Sequence, residues 1–219
     1  MGYPSQLEIV PLTGPLRAAV RAPGSKSITN RALVLAALTA DAHRDTILEG
    51  VLQSEDTEVL VAALVRLGIP LEADWPALEI RVRRPRCASA FPVRSADLHV
   101  ANSGTSMRFL AAVASLAPGR FRLDGVPRMR ERPIGDLLDA LRQLGVDARS
   151  EANNGCPPIE ISGDGWRGGS ARLRGDISSQ FLSALLMAAP FARQPVEIAI
   201  EGPLVSIPYV EMTLAMMAQ

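Results

Sequence analysis

Lysine is almost absent from this chain: Lys26 stands alone among 23 basic residues, and all the others are arginine. Cysteine and histidine are nearly as scarce, reduced to Cys87, Cys156, His43 and His99. Two thiols in 219 residues exclude the disulfide framework of a small secreted domain. Two histidines make a metal cluster an unexpected feature. Net charge is zero, so no global field recruits nucleic acid or an anionic membrane, and any anion site has to be local. The longest apolar runs, such as ALVLAAL at 32–38, fall short of a membrane span. The opening MGYPSQLEIVPLTGP has neither the basic nor the apolar region of a signal peptide, and the expected setting is the cytoplasm. A hydrophobic content of 47% against 21% charged residues is that of a globular α/β or α+β chain rather than a disordered one.

Three segments of the chain align with one another at intervals of roughly 75 residues, too long for a solenoid and therefore read as internal pseudo-symmetry. Arg31, Arg108 and Phe181 fall at equivalent places. Each segment opens on Ser or Thr and runs into a helix that is apolar on nearly every side, which predicts burial: 32–38, 109–116 and 181–189. A short strand ending in Gly follows (TILEGV, FRLDGV, VEIAIEGP), and then a second helix with a one-sided apolar pattern, with Ser54 as N-cap of the first of these and Glu55, Asp56 and Glu58 in its opening turn, where acids suit the helix dipole. The first two segments close on LEIRVRR and PPIEISG, read as strands. The third stops at Gln219 inside its second helix, so the pattern predicts a last unit lacking at least its closing strands. The expected boundaries are about 23–90, 91–165 and 166–219.

The three buried helices share a polar start. Ser25, Lys26 and Ser27 precede the first, Asn102 to Ser106 the second, and Ser178, Ser179 and Gln180 the third. Helix N-termini present unpaired N–H groups and the positive end of a dipole, to which hydroxyl and amide side chains add donors. Capping alone explains any one of them; three together, with Arg31 and Arg108 in the first turns, favour a shared oxyanion surface. GSKS is not a nucleotide phosphate loop, because Ser25 and Val20 occupy the required glycine positions. In VPRMRERP at 126–133, an extended conformation would put Arg128, Arg130 and Arg132 on one face. RVRRPR at 81–86 is expected on an edge strand, in a solubilising role.

PGSKSITNRALVLAAL, NSGTSMR, PRMRERPIGDLLDALRQLG and GDISSQFLSALLMAAP, in that order, resemble the 5-enolpyruvylshikimate-3-phosphate synthase family, over a span from about Leu7 to Gln219. The resemblance implies a two-domain protein about double this length, each domain an α/β inside-out barrel of three βαβαββ units with the helices inside. This chain would be the N-terminal half, with 1–22 packing on the absent domain and 23–219 forming the present one. The implied reaction transfers the enolpyruvyl group of phosphoenolpyruvate to the 5-hydroxyl of shikimate 3-phosphate and releases phosphate, with no metal or cofactor. By motif position, Ser27, Arg31, Ser178, Ser179, Ser206 and Tyr209 would bind shikimate 3-phosphate. Lys26, Gly104, Arg128 and Gln180 would contact phosphoenolpyruvate, with Asn102, Thr105 and Arg108 shaping the site and Lys26 also placed in the catalytic role. The acid and base groups would lie in the other half, so the chain is expected to be inactive alone and to have a separate C-terminal half as possible partner. A sibling family acting on a UDP-sugar uses a cysteine in the loop matching PRMRERP, where this chain has none. Phe109 departs from the proline common in the family; a larger side chain there is expected to shift the helix and Gly104, and with them the sensitivity to glyphosate.

Overall fold

The computed structural model describes residues 4–20, 22–39, 45–83, 85 and 90–219. His43, Cys87, Arg84 and Arg86 lie outside the described residues. Among the described residues, six α-helices and nine strands follow one another as α1 (Lys26–Thr39), β1 (Thr46–Glu49), α2 (Glu55–Arg66), β2 (Leu71–Asp74), β3 (Glu79–Val82), β4 (Ser95–His99), α3 (Gly104–Ala114), β5 (Pro118–Asp124), α4 (Gly135–Gln143), β6 (Asp147–Ser150), β7 (Ile159–Asp164), β8 (Gly169–Arg174), α5 (Ser179–Ala188), β9 (Val196–Glu201) and α6 (Ile207–Met217). The helices predicted from all-round apolarity are the buried ones: every residue of α3 is buried, as are eight of the ten in α5. In α1 the buried set includes Leu33, Val34, Ala36, Ala37 and Leu38. These helices pack on one another, α3 against α5 and α2, and α1 against α2, α3 and α6.

Three small sheets accompany this helical centre. β1, β3 and β2 form an antiparallel sheet in which β3 is central. The arginine-rich stretch therefore begins on a doubly paired strand, a correction to the expected edge. Of its described arginines, Arg81 and Arg83 are partly exposed and pair with Asp45. The second sheet, ordered β4, β5, β7, β6, combines a parallel pair bridged by α3 with two antiparallel strands. The third contains β8 and β9, a parallel pair bridged by α5. A buried Trp166 seals the passage between the second and third sheets, its indole N–H donating to Ser115 Oγ at 2.6 Å. No helix among the described residues is long and apolar enough to cross a membrane.

Two local features place the start of α1. Residues 4–20 lie outside every helix and strand, with Leu7, Ile9 and Val20 between 79% and 88% exposed. The Pro23-Gly24 pair then brings the chain onto the backbone of Gly50–Leu52. A Cβ on Gly24 would stand 2.8 Å from Leu52 N and 2.9 Å from Val51 C, atoms that cannot yield, so the position requires glycine. Thr29 Oγ1 accepts the Leu52 N–H at 3.1 Å and fixes the same junction from inside the helix.

Candidate functional site: a cleft of helix N-termini

The N-terminal ends of α1, α3 and α5 meet. Ser103 caps α3 by accepting the Ser106 N–H at 3.2 Å, and Ser178 caps α5 by accepting the Gln180 N–H at 3.2 Å. Capping is thus real at both ends, yet the caps are also joined laterally. Gln180 Nε2 donates to Thr105 Oγ1 at 3.2 Å, which ties α5 to α3. Asp56, in the first turn of α2, accepts the Ser103 hydroxyl at 2.8 Å and lies 3.4 Å from Lys26 Nζ, which ties α3 to α1. The sequence marked Asp56 only as an acid suited to the helix dipole; its position between Lys26 and Ser103 is a tertiary fact that helix patterning does not contain.

A cleft of about 370 Å³ opens between these ends. Lys26 and Ser27 of α1, Thr105 of α3 and Ser178, Ser179 and Gln180 of α5 line it, joined by Ser206 and Tyr209 from the start of α6. Ser206 sits in the left-handed region at φ 54°, ψ 41°, which is unusual for a non-glycine residue. Its hydroxyl makes no cap hydrogen bond, and the residue lines the cleft.

Arg31 forms the floor. It is 2% exposed, and Nε donates to Thr213 Oγ1 at 2.6 Å, Nη2 to Ser183 Oγ at 3.1 Å and to the Tyr209 carbonyl at 3.2 Å, and Nη1 to the Ser27 carbonyl at 3.0 Å. Its guanidinium also stands 5.4 Å from the Phe109 ring centroid and 5.8 Å from that of Tyr209. Burial lowers its pKa from the ordinary arginine value. Phe109, the departure from the family pattern in α3, is fully buried with its ring against the Arg31 guanidinium, and Ser103 caps the helix ahead of it.

A second polar cluster lies at Gly104, next in the chain to Thr105 of the cleft wall. Arg108 is 5% exposed and donates to the Gly104 carbonyl at 3.0 Å and the Pro133 carbonyl at 2.8 Å, while its Nε is buried without a partner. Burial pushes its pKa down to about 10, and the like charge of Arg132 acts in the same direction. Arg132 donates to the Asn102 carbonyl at 2.9 Å and packs over Gly104, where a Cβ would overlap its guanidinium. Asn102 itself is exposed and contributes that carbonyl rather than a side chain to the cleft.

The three arginines of 126–133 do not share a face. Residues Pro127–Glu131 form a 3₁₀ turn, not an extended strand, because Met129 turns inward and is fully buried. Three different directions result: Arg128 is exposed and pairs with Glu131, Arg130 pairs with Asp124, and Arg132 reaches Gly104. Arg128 is not among the residues that line the cleft, and Arg132 is the one of the three that stands beside Gly104.

An α/β chain whose helix N-termini, hydroxyls and guanidiniums converge on a cleft is of the class that binds oxyanions. The sequence model of EPSP synthase (3-phosphoshikimate 1-carboxyvinyltransferase) matches residues 11–219, and the chain belongs to that family. It is 45% identical over 212 residues to the 3-phosphoshikimate 1-carboxyvinyltransferase of Nostoc punctiforme, covering 97% of this chain and 49% of that protein. It is 47% identical over 213 residues to that of Ralstonia nicotianae, covering 94% and 48%. The EPSP synthase of Acinetobacter baumannii has the same fold, with a TM-score of 0.74 at 24% identity over 86% of this chain and 41% of that one. The chain spans about half the length of the curated relatives it matches.

Proposed function

We propose that this chain is the shikimate 3-phosphate-binding half of an enzyme that transfers the enolpyruvyl group of phosphoenolpyruvate to the 5-hydroxyl of that substrate with release of phosphate. The observation that carries the reading is the meeting of α1, α3, α5 and α6 starts around one cleft, with the guanidiniums of Arg108 and Arg132 gathered at neighbouring Gly104. Both substrates are phosphorylated carboxylates, and two adjacent anion sites in a chain of zero net charge suit them. In this reading Ser27, Ser178, Ser179, Ser206 and Tyr209 hold shikimate 3-phosphate, with Arg31 beneath. Lys26, Gly104 and Gln180 face phosphoenolpyruvate, and Arg132 takes the part that motif position gave to Arg128, because Arg128 is engaged with Glu131 at the surface. Thr105, Arg108 and the Asn102 carbonyl keep the second pocket in shape.

The half-chain reading has structural support. Among the described residues the elements run α1-β1-α2-β2-β3, then β4-α3-β5-α4-β6-β7, then β8-α5-β9-α6, an order that supports reading the chain as βαβαββ units; the sheet of β5 continues into the antiparallel strands β7 and β6, whereas β9 pairs with β8 alone. The apolar side chains of 4–20 are exposed as a segment awaiting another domain would leave them. Acid–base catalysis needs positioned proton donors and acceptors, and no Asp, Glu or His is among the described residues that line the cleft, which suits such groups coming from the other half. The test is phosphate release from the two substrates, first with this chain alone and then with a separately expressed C-terminal half of a relative. Silence alone and turnover on mixing support the reading; turnover by the chain alone places the acid and base groups here and overturns the division of labour.

A Gly104→Ala substitution probes the rim. Its Cβ meets the mobile end of the Arg132 side chain and also lies 2.7 Å from Arg108 Nη1, so Arg132 is displaced while the helix remains. Losing one charge-assisted contact is expected to weaken phosphoenolpyruvate binding about tenfold with the unfolding midpoint nearly unchanged. Calorimetric titration and a urea melt check the two halves of this expectation.

A further inference from the structure

We infer that Asp124 is a positioning residue: it holds the Pro127–Glu131 turn so that Arg132, and not a neighbouring arginine, is delivered to Gly104. The inference rests on the reading of the Gly104 pocket as the phosphoenolpyruvate site. Asp124 ends β5 opposite His99 of β4, at the point where the loop into α3 and the turn carrying the arginines both leave the sheet. It is 8% exposed, and its carboxylate accepts the Gly125 N–H at 2.7 Å, Arg130 Nε at 3.0 Å, Arg130 Nη2 at 2.7 Å and Arg122 Nη2 at 3.3 Å. The two Arg130 contacts form a fork, which fixes orientation as well as distance.

Consecutive restraints then leave Arg132 little choice. The Val126 N–H donates to the Ala101 carbonyl at 3.1 Å, Met129 is buried, Arg130 is forked to Asp124, and the Pro133 carbonyl is held by Arg108. Arg132, between the last two anchors, can extend only over Gly104. The Arg132 N–H closes the turn on the Met129 carbonyl at 3.1 Å, so a loosened turn releases Arg132 directly. Asp124 touches neither the cleft nor Gly104; its influence passes through Arg130. Without this clamp, Arg128, Arg130 and Arg132 are chemically interchangeable candidates for the pocket. The clamp selects one of them.

The test uses the 219-residue chain with D124N, and with R130Q as a second variant in case the buried site does not tolerate the amide. Amide exchange of Val126, Met129 and Arg132 should accelerate about tenfold in either variant while the β5–β7 ladder keeps its protection. Phosphoenolpyruvate affinity should fall about tenfold in the same variants, and by nothing further when R132A is already present. A merely structural role would lower stability alike in both backgrounds and leave the affinity difference in place. Unchanged exchange, or an affinity loss that persists in full beside R132A, overturns the inference. If the parent chain binds no phosphoenolpyruvate, the reading of the pocket fails, and the exchange at Arg132 alone then decides whether Asp124 holds the turn.

Discussion

Arg31→Ala lowers the unfolding free energy of this chain by about 3 kcal/mol, the largest stability loss expected from any single truncation around the cleft. Four hydrogen bonds to α1, α5 and α6 disappear together, as do the contacts with the Phe109 and Tyr209 rings. Two effects moderate the loss. Removing the guanidinium also removes its own desolvation cost, and Thr213 still donates to Ser183 Oγ at 2.9 Å and lies 2.8 Å from the Tyr209 carbonyl. What cannot be recovered is the space between two aromatic rings, which remains as a void in the middle of three helices. Arg31→Lys keeps charge and most of the stem but loses the fork, so it should fall between the two. Urea unfolding with an unchanged slope and a lowered midpoint is the expected signature. A loss below about 1 kcal/mol, the worth of one ordinary hydrogen bond, would show that α1, α5 and α6 hold together without this residue.

The same residue shows which parts of the molecule its sequence discloses. Helices that are apolar on every side can only be interior, so α1, α3 and α5 were legible from Leu33, Phe109 and Phe181 and their neighbours. Their Ser and Thr starts were legible as caps because capping is a local rule. The placement of Arg31 against Thr213 and Ser183, distant in the chain, follows no local rule. Phe109 is a second case: the sequence marks it only as a departure from a family pattern, and the fold adds that its ring stands 5.4 Å from the Arg31 guanidinium. Asp56 was hidden by the reverse problem, since a dipole-matching acid in a first turn already has a sufficient explanation.

The arginine segment illustrates a second limit. Alternation predicts a common face only if the backbone is extended, and one buried methionine is enough to wind PRMRE into a 3₁₀ turn. Once it winds, side chains two apart diverge, and Arg128 and Arg132 part company. Motif matching alone ranks them equally; contact with Gly104 separates them. The antiparallel β2 and β6, LEAD and DARS, lack the β-branched residues that mark the equally short β1 and β3, TILE and EIRV, so their sequences do not stand out from the neighbouring loops.

Lys26→Arg should abolish turnover of the reconstituted enzyme, by at least about a thousandfold, while leaving stability within roughly 0.5 kcal/mol of the parent. Lys26 is half exposed and its contact with Asp56 is 3.4 Å, so the pair contributes little to folding. Its place is the feature that matters: the ammonium stands beside the α1 start, on the wall shared by the cleft and the polar start of α3. An ammonium can rotate its three donors between Asp56 and two anionic substrates and follow charge as it moves during transfer. A guanidinium would fork onto Asp56, which the Ser103 hydroxyl already occupies at 2.8 Å, and would be fixed there. Transition-state stabilisation requires the charge where it develops, not merely nearby. Lys26→Met separates the two demands by removing charge altogether: equal inactivity of both variants with intact shikimate 3-phosphate binding locates the need at the ammonium itself. Near-normal turnover of Lys26→Arg would mean that any cation suffices, and that the solitary lysine of an arginine-rich chain has no mechanistic cause.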